Sequence, residues 1–183
     1  MEEQVNSWVS MDLFSFWDEP LYIIAEYDHM VKRGKIMRVR LYGFFEAPMN
    51  VYIDGDYPKG LKKGDALKLD LRLIFWKGDY YNDEEQYRRE KQSNMAAQSY
   101  IPCGTFSPTM DPNFVESATA LINGEVAHVE RVMVDGEPVC KIELRCDKYI
   151  FRVVCPDCFD ELGIHEGTIL SGLFTIDGRI SRR

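Results

Sequence analysis

A repeated strand pattern relates the two halves of this sequence. The stretch 61–75 reads LKKGDALKLDLRLIF, with a large apolar residue at every second position from Leu67 to Phe75. Strict alternation with a period of two indicates a β-strand with one buried face. The stretch 162–176 reads LGIHEGTILSGLFTI and repeats the plan. A shift of 103 residues superimposes the two stretches, matching Gly64 with Gly167, Leu67 with Leu170, Leu71 with Phe174, and Leu73 with Ile176.

Two earlier blocks extend the match. The same shift of 103 residues carries Met37, Val39 and Leu41 onto Cys140, Ile142 and Leu144. Further upstream the shift is 99 residues, and it carries Glu26 onto Glu125 and His29 onto His128. The two shifts differ by four residues, so the second copy has four additional residues around its first turn, at 134–138. A turn is where a change of length is least costly. Separate blocks with related spacing predict a duplicated structural unit.

Each copy predicts a mostly β unit. The order is strand, turn, strand, short strand, an irregular or helical connection, and then a glycine followed by a strand. In the first copy the strands are 21–30, 35–42, 50–53 and the alternating run that ends at Phe75. This order resembles an OB-like Greek-key β-barrel, which has five short strands and a variable connection before the fourth. The predicted fold is therefore β with minor α, as two tandem OB-like barrel units or, alternatively, as a single β-sandwich.

Four segments follow from these patterns. Residues 1–20 form an aromatic, acidic N-terminal arm whose apolar residues recur at helical spacing, so that a helix or pair of turns is expected to cover an edge of the sheet. Residues 21–76 form the first OB-like unit, and residues 116–183 form the second. Between them, 77–115 combines a charged helix within 82–98 with a proline-bearing linker, and the domain boundary is expected there.

Charge is distributed unevenly along the chain. The net charge is −8, yet residues 1–31 hold seven acids and no Lys or Arg, whereas 32–72 hold ten bases and five acids. Two interpretations follow: the acidic arm lies against the basic segment, or the first unit binds an anionic ligand. The acidic start, MEEQ, and the lack of a long apolar run predict neither a secretory signal nor a membrane span.

The five cysteines are typical of a reducing compartment, so we expect a cytoplasmic protein with reduced thiols. Cys155-Pro-Asp-Cys158 has the spacing of a redox or zinc motif. Cys155, Cys158 and His165 are accordingly weak candidates for a metal site, although a fourth ligand is not evident. Nearby acidic residues disfavour the deprotonated thiolate form of these cysteines, so ordinary reduced cysteines are the favoured interpretation. No cofactor and no catalytic residue are predicted.

A group of residues in the first unit suits a nucleic acid, because bases stack on aromatic rings and cations follow the phosphates. These weak ligand-binding candidates are Arg38, Arg40, Tyr42, Phe44 and Tyr52. The net charge disfavours nucleic acid as the partner. The sequence therefore predicts non-catalytic binding of another protein by the OB-like units. Single-stranded nucleic-acid binding by the basic first unit, and a zinc or thiol-redox site at Cys155 and Cys158, are the alternatives.

Overall fold

The structure, a computed structural model, describes residues 12–31, 36–91, 94–107, 109–134, 136–156 and 163–181. The strands are Tyr22–Met30 (β1), Ile36–Leu41 (β2), Pro48–Ile53 (β3), Ala66–Tyr81 (β4), Ser99–Ile101 (β5), Thr119–Val134 (β6), Glu137–Cys146 (β7), Tyr149–Pro156 (β8) and Ile169–Ile180 (β9). The helical elements are a 3₁₀ helix at Leu13–Phe16 and an α-helix at Glu84–Glu90 (α1). The prediction of a mostly β fold with minor α is confirmed.

The longest strand pair in the sheet is formed by the two repeated stretches. β4 and β9 run antiparallel, with Leu73 opposite Ile176. The shift of 103 residues also matches these two positions. If each residue is replaced by its equivalent in the other copy, the same residue pairs result at the centre of the β4–β9 register. The β4–β9 pair therefore has an approximate two-fold relation centred at Leu73 and Ile176.

The other strands join this pair in two rings of hydrogen-bonded neighbours. In the first ring β1 pairs with β2, β2 with β3, β3 with β9 in parallel, β9 with β4, and β4 with β1. In the second ring β6 pairs with β7, β7 with β8, β8 with β4 in parallel, β4 with β9, and β9 with β6. Each ring thus contains three strands from one copy and shares β4 and β9 with the other ring.

The first hairpin of each copy, β1–β2 and β6–β7, has a β-bulge at an equivalent position. β1 has a bulge between Tyr27 and His29, and β6 has one between Val126 and His128, which are related by the shift of 99 residues. In the second strand, however, Val39 lies opposite Tyr27 whereas Leu144 lies opposite Val126. The sequence comparison matched Val39 with Ile142, so that match is displaced by two residues. Because successive side chains of a strand point to opposite faces, a displacement of two residues still matches inward-facing residues with inward-facing residues.

The core contains side chains from both copies. Leu69, Leu71 and Leu73 of β4 pack in one buried cluster with Phe174 and Ile176 of β9. The opposite face of β4 is also covered, since Ile74 packs with the N-terminal segment in a second, smaller cluster. The strict alternation in β4 therefore marks the larger core, while its other face is not open to solvent.

Several local expectations are corrected. The connecting helix spans only Glu84–Glu90, because the Asp83 side chain caps its start and Lys91 has extended backbone at its end. β4 continues to Tyr81, and Ser99–Ile101 forms a strand where a linker was expected. β9 runs through Gly178 without the reversal that the glycine suggested. The predicted N-terminal helix is only a 3₁₀ turn within the described residues, and residues 1–11 lie outside them.

Candidate functional site

The described part of the N-terminal arm, residues 12–20, lies across the outer side of the second ring. Asp12 starts its 3₁₀ helix by accepting a hydrogen bond from the Phe14 N–H at 3.0 Å. Leu13 and Phe14 are then buried against Ile74, Val139 and Val154, which come from β4, β7 and β8. The arm is therefore anchored by apolar contact with three strands.

Four cations lie beneath and beside this arm, on four different strands. We call them the cationic face: Arg72 of β4, Lys141 of β7, Arg152 of β8 and Arg179 of β9. Their side chains alternate with residues of the larger core, which is why they point to the other side of the sheet. Residues far apart in sequence thus form one surface.

The Trp17 ring contacts three of these cations. Its centroid lies 4.8 Å from Cζ of Arg72, 5.4 Å from Cζ of Arg152 and 5.6 Å from Nζ of Lys141. All three distances fall within the range of cation–π attraction, in which the negative face of the ring stabilises a positive group. Trp17 is half-buried, so the attraction is less screened than at an open surface.

A second aromatic ring of the arm repeats this contact. The Phe14 centroid lies 4.3 Å from Cζ of Arg179 and 5.2 Å from Cζ of Arg72. Phe14 and Trp17 are three residues apart, and the 3₁₀ turn between them places both rings on the same face of the sheet. Together they cover much of the cationic face.

Oxygen atoms complete the contacts. Arg179 donates to Asp12 of the arm at 2.9 Å and to Asp54, after β3, at 2.6 Å. Arg152 donates to the backbone carbonyl oxygen of Glu19. The arm therefore offers the face both aromatic rings and acceptors, one of them a carboxylate.

Arg72 is the central residue of the face and is fully buried. Its guanidinium pairs with Asp70, with Nη2 donating to Oδ2 at 2.9 Å. Burial lowers the pKa of Arg72 to about 10, and the Asp70 carboxylate opposes that change, so Arg72 is charged at neutral pH. Within the described residues Nε of Arg72 and Nε of Arg152 have no hydrogen-bond acceptor. The arm thus leaves two donors of the face unsatisfied.

A titratable carboxyl lies at the edge of the same region. Asp177 is half-buried on β9, opposite Arg72 in the strand register. Burial and, to a smaller extent, the nearby Asp54 carboxylate raise its pKa to about 7. The charge at this edge of the face is therefore sensitive to pH near neutrality.

In the first ring, Arg38 is covered by the linker. It donates from Nε to Asn50 at 3.0 Å and forms an ion pair with Glu116, while Phe106 lies 5.5 Å from its guanidinium. Asn50 in turn donates to the carbonyl oxygen of Ser117 at 3.2 Å. Asn50 of β3, Glu116 of the second unit and the Thr105 carbonyl oxygen of the linker therefore accept the hydrogen bonds of Arg38 in this conformation.

The other candidates of the first ring are divided between core and surface. Phe44 is fully buried and packs edge-on against Phe151, so a ligand cannot stack on it here. Tyr52 is half-buried, whereas Arg40 and the half-exposed Tyr42 line an open cleft of about 310 Å³. The structure keeps Arg40 and Tyr42 together and separates them from Phe44.

The cysteine candidates do not form a described site. Cys155 is buried, and His165 hydrogen-bonds through Nδ1 to the backbone of Glu166 at 2.8 Å. Cys158 lies outside the described residues, within which no group of three His, Cys, Asp or Glu could hold a metal ion. Cys140 is disulfide-bonded, whereas Cys103 and Cys146 are free. The expectation of uniformly reduced thiols is therefore wrong for Cys140.

A separate open cleft of about 760 Å³ lies on the first ring. Its apolar wall includes Ile24, Tyr57 and Leu61, and its rim carries Asp65 and Lys68. Charges of both signs at the rim select no single class of ligand.

The sequence interpretation missed most of the cationic face. It attributed the basic character to residues 32–72, yet Lys141, Arg152 and Arg179 belong to the acidic second copy. The available signal was the alternation in β7, β8 and β9, which places each of these cations opposite the core-facing residues. Phe16 and Trp17, whose helical spacing led to the expectation of docking on the sheet, do pack against it, and Phe14 packs there as well.

Among the described residues, no helix is long and apolar enough to cross a membrane. No protein-family model matches this chain, and no curated protein is significantly similar to it.

Proposed function

We propose that this chain is a non-catalytic binding protein, built on two OB-like units, whose partner is another protein. The strand order supports the OB-like description. In each ring three consecutive strands form a meander, a fourth strand returns to the first, and a fifth lies parallel to the third. The fifth strand of each ring comes from the other copy, so the two units would be OB-like barrels that exchange a strand.

The observation that carries the proposal is the arm bound to the cationic face. OB folds bind oligonucleotides and oligosaccharides on the surface of strands two and three, which is therefore their usual ligand surface. In the second ring these strands are β7 and β8, which contribute Lys141 and Arg152 to the contact with Trp17. The arm is a peptide segment held there by side-chain contacts. A surface that binds a peptide of its own chain has the chemistry to bind a similar peptide of a partner.

Single-stranded nucleic acid remains the alternative ligand, and it is less well supported. The nucleic-acid interpretation depended on Arg38, which is ion-paired with Glu116, and on Phe44, which is buried. The net charge of −8 also opposes approach of a polyanion. A zinc or redox function would require Cys155, whose burial opposes access. We include a cytoplasmic location in the proposal; the free thiols of Cys103 and Cys146 support it and the Cys140 disulfide opposes it.

Partner recovery with matched variants tests this function. The bait is the full chain with Phe14→Ala and Trp17→Ala, which loosens the arm, and a second bait adds Lys141→Glu and Arg152→Glu. The matched control instead adds Arg88→Glu and Arg89→Glu, which apply the same change of charge on exposed α1.

The proposal expects proteins that the first bait and the α1 control recover and that the face variant loses. Equal recovery by all three baits would contradict it. Material that disappears on nuclease treatment would support the nucleic-acid alternative instead.

A further inference from the structure

The contacts of the arm describe the ligand that the cationic face accepts. Two aromatic rings three residues apart, Phe14 and Trp17, lie on the cations, and the Asp12 carboxylate binds Arg179 at 2.9 Å. The remaining acids in the described part of the arm, Asp18 and Glu19, are exposed beside the same face. Aromatic rings attract the four cations of the face, although Arg72, Lys141 and Arg179 also pair with Asp70, Glu130 and Asp54. The carboxylates of the arm add acceptors to these contacts.

The fit of the arm is incomplete, which leaves room for a better ligand. Within the described residues, Nε of the fully buried Arg72 has no acceptor, and Nε of Arg152 has none either. A buried donor without a partner is unfavourable, and a carboxylate that reached it would form a charge-assisted hydrogen bond. These unsatisfied donors are an independent indication that the face suits an acidic ligand other than the arm itself.

The arm also has an advantage that a separate ligand lacks. Residues 18–21 connect it directly to β1, so the arm reaches the face at a high effective concentration. A ligand from another molecule must compete with it, and its apparent affinity falls by the fraction of chains in which the face is open. Occupation by the arm therefore weakens binding of any partner at this site.

On the basis of the function proposed above, we infer that the cationic face binds acidic peptide segments carrying two aromatic residues at i and i+3, and that the N-terminal arm is a built-in competitor for them. The arm thus raises the concentration of partner that is needed for binding. A partner segment with better-placed carboxylates would displace it.

A labelled peptide with the sequence of residues 12–20, DLFSFWDEP, tests this inference. Binding is measured by fluorescence anisotropy to the full wild-type chain and to the full Phe14→Ala/Trp17→Ala chain. We expect saturable binding that is at least about tenfold tighter to the variant, because its own arm no longer competes. A peptide with Phe14 and Trp17 replaced by Ala should bind at least about tenfold more weakly.

Protein controls locate the site. In the arm-loosened chain, Lys141→Glu with Arg152→Glu should abolish peptide binding, whereas Arg88→Glu with Arg89→Glu should leave it within about twofold. Asp12→Lys provides a second way to loosen the arm, since it removes the exposed contact with Arg179 and the side-chain cap on the Phe14 N–H while keeping both aromatic residues in the sequence. It should give an intermediate affinity even where the aromatic variant fails to fold.

The outcomes separate this inference from the proposed function. No binding to either folded variant, or equal binding to the wild-type chain, would overturn it. Preference for an oligothymidine over the peptide would overturn the ligand class in favour of nucleic acid. If the peptide binds as expected but no partner protein is recovered, the ligand chemistry stands and the proposed cellular function fails. If a partner protein is recovered but the peptide does not bind, the proposed function stands and the inferred ligand chemistry fails.

Discussion

Leu73 and Ile176 lie opposite each other at the centre of the β4–β9 pair, and both side chains are fully buried. Each residue is the repeat equivalent of the other, so the sheet is centred on the same position of both copies. The two rings share this pair and one continuous core. Folding of either ring therefore requires a strand from the other, which predicts cooperative unfolding.

Shortening either of these two side chains should destabilise both copies to a similar extent. Leu73→Ala and Ile176→Ala are each expected to cost about 2–5 kcal/mol of unfolding free energy, because each leaves a cavity in the shared core. Urea unfolding followed by fluorescence and circular dichroism should show one transition for each variant. Leu121→Ala, at a partly exposed position of β6, serves as the control with a smaller loss. Two separate transitions, with only one shifted, would contradict the shared core.

Arg72 and Asp70 should behave as a coupled pair. Arg72→Ala is expected to destabilise the chain by about 3–5 kcal/mol, because it leaves the Asp70 carboxylate without its main buried partner. Replacement of both residues, Asp70→Leu with Arg72→Met, should cost less than the single change because no unpaired charge remains. Chemical denaturation of the variants measures this. Additive losses would show that the pair is not coupled.

Asp177 should make the chain less stable as pH rises towards neutrality. Its folded pKa of about 7 lies above the ordinary value of 3.8, so the folded state binds the proton more tightly than the unfolded state. Its favourable contribution is present below about pH 4 and is lost as pH rises to about 7. Asp177→Asn should therefore gain stability relative to wild type by about 1–3 kcal/mol at pH 8, after allowance for solvent screening, with little gain at pH 4.

Unfolding of Asp177→Asn and wild type at matched pH values checks this difference. Asp79→Asn, at an exposed position, is the control and should change stability by less than about 0.5 kcal/mol at either pH. A difference between Asp177→Asn and wild type that is constant with pH would mean that the carboxyl does not titrate in this range.

The sequence pattern predicted the parts of the fold that depend on local alternation. Leu69, Leu71 and Leu73 face the core as expected, because a half-buried strand has a period of two. The pattern could not predict the partner of that strand, since the β4–β9 register joins residues that are 88 to 111 positions apart in sequence. It also assigned Arg72 to a solvent-facing side. Alternation determines which side a residue faces, but not which segment covers that side.

The candidate site was harder to predict for a related reason. Counting charge along the chain pointed to residues 32–72, whereas the cationic face draws Arg72, Lys141, Arg152 and Arg179 from four strands. Only the three-dimensional order of the sheet brings them together. The aromatic spacing of the arm did indicate docking on the sheet, but the surface that receives it depends on strand pairings that sequence periodicity does not contain.

The central claim is that Trp17 is bound by the cations of this face, and a double-mutant cycle tests it most directly. The unfolding free energy is measured for wild type, Trp17→Ala, Arg152→Met and the double variant, with Arg88→Met in place of Arg152→Met as the control cycle. The contact at 5.4 Å predicts a coupling of about 0.5–2 kcal/mol between Trp17 and Arg152, and none with Arg88. A coupling of zero in both cycles would contradict the account.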